Sequence, residues 1–171
     1  MIRLTIGTPE QMAELGAQLA GRLRAGDVVA LNGELGAGKT TLTRGLGEAL
    51  GIRGMVTSPT FVLARTHPRL GSGAPLVHVD AYRLGDPAEL DDLDIDFEES
   101  IVVVEWAAGK LDGITDAWLQ VDIRRPIGGE ETEAGVEPRE VRLTGHGDRW
   151  SGMDGAGLDW AGIGWPDAPR H

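Results

Sequence analysis

The chain has 171 residues, 41% of them hydrophobic and 25% charged, a length and balance suited to one α/β domain and short for two. Its formal net charge of −11, with lysine at positions 39 and 110 alone, argues against a broad electrostatic grip on nucleic acid, which leaves a basic footprint. No apolar run approaches the ~20 residues of a membrane span, no signal-peptide pattern opens the chain, and the lack of cysteine excludes disulfides and thiolate metal sites, so a cytoplasmic location is expected.

In chain order, Arg3 to Ile6 alternates as an edge strand. Thr8-Pro9-Glu10-Gln11 opens a helix: Thr8 as N-cap, Pro9 at the first helical position, Gln11 closing a capping box. Met12, Leu15, Leu19 and Leu23 follow at helical spacing as its buried stripe. Val28-Val29-Ala30-Leu31 is an apolar run of the kind buried on both faces of a sheet. After a glycine-rich loop, Thr41 to Leu50 continues as a helix with Leu42, Leu46 and Leu50 on one side, ended by Gly51. Thr57 to Phe61 is loop-like and leads into a strand, Val62 to Arg65; residues 67–75 read as a loop. Leu76 to Val79 and Ile101 to Val104 are two short apolar strands, each followed by an acid, Asp80 and Glu105.

Asp86 to Glu99 holds eight acids and no base, expected as a solvated helical segment with Leu90, Leu93 and Phe97 packed inward, an acidic docking face being the alternative. Trp118 to Ile123 and Glu140 to Leu143 are terminal strands. Residues 1–144 are thus expected to form the domain. Residues 145–171, with seven glycines and Trp150, Trp160 and Trp165, read as a flexible tail whose tryptophans dock on the domain or on a partner.

Gly33-Glu34-Leu35-Gly36-Ala37-Gly38-Lys39-Thr40 matches the pattern G-x-x-x-x-G-K-[ST] in full, between an entering strand and a leaving helix. Gly36 and Gly38 allow the backbone to turn its N–H groups inward as an anion nest, and the helix N-terminus, through Thr41, favours phosphate. Lys39 can reach the outer phosphates, and the Thr40 hydroxyl can ligate Mg²⁺. At this chain's composition, about 0.004 matches of the pattern arise by chance. The motif establishes a nucleotide site without saying what the nucleotide is used for.

Such a loop needs a second, metal-holding carboxylate. Glu105 and Asp80 both end strands whose C-terminal ends meet the loop at one rim: one is expected to hold Mg²⁺, the other to orient the attacking water. His78 shares the face of Asp80 and is read first as a satisfied core residue, second as a catalyst. Arg83 either reaches phosphate or pairs with the acids of 86–99; Trp106 either shields the site or packs in the core.

GELGAGKTT, SPTF, HVDAYR and VVVEW, in this order and spacing over residues 6–123, together resemble the bacterial TsaE family. That resemblance implies a P-loop NTPase-like α/β domain with a mixed β-sheet flanked by helices, binding ATP and Mg²⁺ as the ATPase component of tRNA threonylcarbamoyladenosine synthesis. It implies TsaB- and TsaD-like transferase subunits as partners, with tRNA contacted indirectly. Carried over by position, Lys39 grips phosphate, Thr40 and Glu105 hold Mg²⁺, Asp80 is the catalytic or water-orienting acid, and Thr60 senses the γ-phosphate. The family often places an acid or proline soon after its Glu-Trp pair, whereas this chain reads Ala107-Ala108-Gly109-Lys110.

Three other readings compete. A small-molecule kinase needs a basic lid, and residues 84–100 carry no lysine or arginine. A GTPase switch needs an Asn/Thr-Lys-x-Asp tetrapeptide, which is absent from the sequence. A non-catalytic nucleotide-binding assembly module has less use for Asp80 and Glu105 together.

Overall fold

A computed structural model describes residues 1–34, 36–52, 54, 56, 64–81, 87–105, 111, 113–125 and 138–151. Seven strands, β1 (Ile2–Ile6), β2 (Val28–Gly33), β3 (Ala64–His67), β4 (Leu76–Asp80), β5 (Ile101–Glu105), β6 (Trp118–Arg124) and β7 (Arg139–His146), form one sheet in the order β1-β7-β6-β2-β5-β4-β3. β6, β2, β5 and β4 run parallel, while β7, β1 and β3 pair antiparallel. The sheet is therefore mixed, with its parallel centre made of the apolar runs: β5 is buried throughout, as are the first four residues of β2 and of β4.

Helices α1 (Pro9–Ala20) and α2 (Lys39–Leu50) share one apolar cluster with Val29, Leu31, Val103, Val121 and Leu143. A second cluster on the opposite face joins Val28, Ala30, Val102 and Val104 to Leu90 and Leu111. α1 begins as its sequence predicts: Thr8 Oγ1 accepts from Gln11 N at 3.1 Å, while Gln11 Oε1 reaches past the cap to accept from Gly7 N at 2.7 Å. α2 ends at Gly51 with φ 72°, the expected left-handed cap. The two helices meet backbone to backbone. An added Cβ would overlap Leu42 O from Gly16 and Ala13 O from Gly45.

Two expectations are corrected. The acidic stretch holds only a five-residue helix, α3 (Pro87–Asp91), followed by turns. Asp94 takes a left-handed φ of 54°, and Asp96 accepts from Glu99 N at 3.1 Å. Short acidic side chains here bond the backbone themselves and compete with a helix. Leu90, Leu93 and Phe97 still pack inward. The domain also runs past residue 144. β7 extends through Gly145 and His146, and Trp150, 6% exposed, sits in the main core. Arg149 locks this end down: Nε and Nη2 donate to the Asp27 carboxylate at 3.0 Å each, Nη2 also donates to Arg22 O at 2.8 Å, and the guanidinium lies 4.4 Å over the Trp150 ring. Trp160 and Trp165 lie outside the described residues.

Candidate nucleotide site

The glycine-rich loop joins β2 to α2 at the C-terminal rim of the parallel strands. Gly33 closes β2 where space is short: a Cβ there would stand 3.0 Å from Ile123 O and 3.2 Å from the Ala37 Cβ. Gly36 (φ 78°) and Gly38 (φ 116°) both take the left-handed backbone that an anion nest requires. Gly38 caps α2 without a side chain, so no side-chain oxygen occupies the helix's first N–H groups. Leu35 lies outside the described residues.

Lys39 is buried in the first turn of α2, and its Nζ donates to Gly33 O at 2.6 Å and Glu34 O at 3.1 Å. Burial pushes the pKa of its ammonium down; the charges of Glu105 and Asp80 oppose that shift and favour the charged form. Thr43 Oγ1 donates to Lys39 O at 2.8 Å, bracing the turn that carries the lysine. Thr40 and Thr41 are half-buried beside it, and Glu34 is exposed.

The two acids arrive on adjacent parallel strands. Asp80 of β4 pairs in register with Glu105 of β5, and Glu105 in turn with Leu31 of β2. Register thus sets both carboxylates abreast at the rim where β2 delivers the loop. Glu105 is 5% exposed and Asp80 half-buried. Among the described residues, Glu105 Oε1 has no hydrogen-bond partner, and the fully buried His78 stands with Nε2 3.4 Å from it. His78 is no satisfied core histidine, because neither ring nitrogen is hydrogen-bonded among the described residues. Thr60, Arg83 and Trp106 lie outside the described residues.

On the other side of the loop, a cavity of about 130 Å³ is lined by Gly36, Ala37, Gly38 and Thr41 together with Thr8, Met12 and Arg139. Sequence reasoning did not point to this cavity. Arg139 reaches it because β1 pairs with β7, Ile6 opposite Arg139, and its Nε donates to Ala37 O at 3.2 Å across 102 residues of sequence. A left-handed glycine nest at a helix N-terminus, a buried lysine, two in-register acids and an adjoining cavity define a P-loop NTPase-like protein.

The comparisons carry this further. A family model described as "Threonylcarbamoyl adenosine biosynthesis protein TsaE" matches residues 6–132. The tRNA threonylcarbamoyladenosine biosynthesis protein TsaE of Streptomyces coelicolor is 58% identical over 146 residues, covering 84% of this chain and 96% of the relative. The protein of the same description from Bacillus subtilis is 37% identical over 144 residues, 83% of this chain and 84% of its own. The crystal structure of Bacillus subtilus YdiB superposes with a TM-score of 0.65 at 31% identity, covering 87% of this chain and 88% of that one. The chain belongs to the TsaE family of tRNA threonylcarbamoyladenosine biosynthesis proteins. Among the described residues, no helix is long and apolar enough to cross a membrane.

Proposed function

We propose that this chain is a cytoplasmic Mg²⁺-dependent ATPase that supports tRNA threonylcarbamoyladenosine synthesis through TsaB- and TsaD-like transferase subunits. One observation carries the reading: Asp80 and Glu105 stand in register at the same rim, both acting electrostatically on the buried Lys39 of the phosphate loop. A loop that only held nucleotide needs the lysine and the nest; two acids facing the lysine add the parts for hydrolysis.

The residues fit Mg·ATP. Glu105 offers a buried oxygen without a hydrogen-bond partner. No three His, Cys, Asp or Glu side chains among the described residues group into a self-sufficient metal cage. Mg²⁺ needs none, since it takes one or two carboxylates and completes its shell with phosphate oxygens and water. Thr40 and Glu105 would hold the ion, which supplies charge neutralisation of the phosphates when bound. Lys39 would exchange its bonds to Gly33 O and Glu34 O for phosphate oxygens. Asp80, half-buried and abreast of Glu105, orients the attacking water and takes its proton. Thr8, Met12 and Arg139, which line the adjoining cavity, would hold the nucleoside. The net charge of −11 favours contact with tRNA through the protein partners.

The test is turnover of ATP and GTP, with and without transferase subunits and tRNA, for the wild type and Asp80→Ala. Asp80→Ala is expected to keep nucleotide affinity and lose hydrolysis by roughly 100-fold or more. Wild-type turnover in that variant overturns the role of Asp80. Acceptor-dependent phosphorylation of a metabolite sinks the ATPase reading altogether.

A further inference from the structure

His78 sits in the middle of β4, its side chain 0% exposed, on the same face as Asp80 and pointing toward Glu105 on the neighbouring strand. Its strand neighbours Val77 and Val79 belong to the opposite apolar cluster. The position behind the acids is thus a core position that an aliphatic side chain would fill without polar atoms to satisfy. A buried imidazole with no hydrogen bond to either nitrogen is costly there. Among the described residues, it faces Glu105 Oε1, itself buried and without a hydrogen-bond partner, 3.4 Å from Nε2. The two orphaned groups face one another.

An imidazole carries at least one N–H in either charge state, and a carboxylate only accepts. The separation is a few tenths of an ångström longer than a formed N–H···O bond, so a small turn of either side chain closes it. Glu105 has two oxygens. Held by one from behind, it would leave the other for the loop side, where the carboxylate's charge acts on Lys39.

We propose that His78 is a positioning residue: its Nε2–H anchors one oxygen of Glu105 from within the sheet and so fixes the other toward the Mg²⁺ of the nucleotide. This rests on the proposed Mg·ATP site. His78 touches neither nucleotide nor metal and works through the carboxylate alone. Partners of this kind set the orientation of ligating carboxylates, and their loss typically costs on the order of 10- to 100-fold in metal affinity.

The experiment titrates Mn²⁺ into the full chain bound to ADP, read by electron paramagnetic resonance, with ADP affinity in EDTA and thermal unfolding measured alongside. His78→Leu removes the donor at similar volume; His78→Gln returns an N–H at about the position of Nε2. We expect His78→Leu to bind Mn²⁺ roughly tenfold or more weakly at unchanged metal-free ADP affinity. His78→Gln should recover most of the loss, and adding His78→Leu to Glu105→Gln should cost nothing further. Wild-type Mn²⁺ affinity in a folded His78→Leu, or an equal loss in folded Leu and Gln variants, overturns the proposal. Should His78→Leu fail to fold, His78→Asn, which keeps a polar side chain but places its donor near Nδ1, takes its part and must show the same loss. If the wild type with ADP binds no Mn²⁺, the Mg·ATP reading falls instead, whatever the variants do.

Discussion

Replacing Gly45 with alanine tests how tightly α2 is held in place. An added Cβ would overlap Ala13 O and stand 2.7 Å from the Ala13 carbonyl carbon and Cα, closer than the 3.0 Å that real Cβ atoms essentially never breach. Every one of those atoms is backbone of α1, so no rotamer change relieves the overlap, and the helices must part by about 1 Å in a close-packed interior. Overpacking of this kind costs about 1–3 kcal/mol, and with no side-chain escape the upper end applies. Alanine's helix preference returns about 1 kcal/mol. The net expectation is a loss of about 2 kcal/mol, or roughly 4–8 °C in Tm for a domain of this size. Urea and thermal unfolding followed by circular dichroism measure it, with Gly21→Ala as control, since a Cβ there meets only Gln18 O at 3.5 Å. A Gly45→Ala protein as stable as wild type would show that the helices are not in backbone contact.

Lys39→Ala is expected to weaken Mg·ATP binding by roughly 10- to 150-fold, the worth of a charge-assisted hydrogen bond of about 1.5–3 kcal/mol; unchanged affinity by calorimetry contradicts the placement of Lys39. His67 predicts a pH dependence of stability. Burial, then His78 and Arg65, push its pKa below the ordinary 6.5, so the unfolded chain takes the proton first as pH falls. Its contribution is therefore present above 6.5 and lost as pH falls below that value through the lower folded-state pKa. The urea midpoint should fall from about pH 8 to about pH 5.5, and His67→Gln should flatten the fall; an identical slope in the variant refutes the assignment.

Much of this was legible because the decisive signals are local. The loop Gly33 to Thr40 carries its own backbone requirement in its glycines, and Gly36 and Gly38 take the left-handed angles that the pattern demands. Asp80 and Glu105 were readable from strand ends, since parallel neighbours bring such ends to one rim. What escaped was long-range or cooperative. Nothing near Arg139 announces that β7 pairs with β1 and carries it to Ala37. Gly145 and Gly147 looked like tail composition, yet Gly145 is small because the Trp150 Cβ would stand 2.6 Å from any Cβ placed there. The apolar spacing in 86–99 located the buried faces correctly while its short acids cut the helix to five residues.

The bonds of Lys39 to Gly33 O and Glu34 O have a consequence for what binding measures. Those carbonyls act as an internal pseudo-ligand, occupying the ammonium before any phosphate arrives. In the proposed site, phosphate binding at this residue would be an exchange of acceptors, its gain the surplus of an ammonium–phosphate bond over an ammonium–carbonyl one. The ammonium also arrives already stripped of most of its water, so the incoming phosphate meets a lysine that is partly desolvated. The affinity of the proposed site would then reflect competition between the loop's own oxygens and those of the ligand.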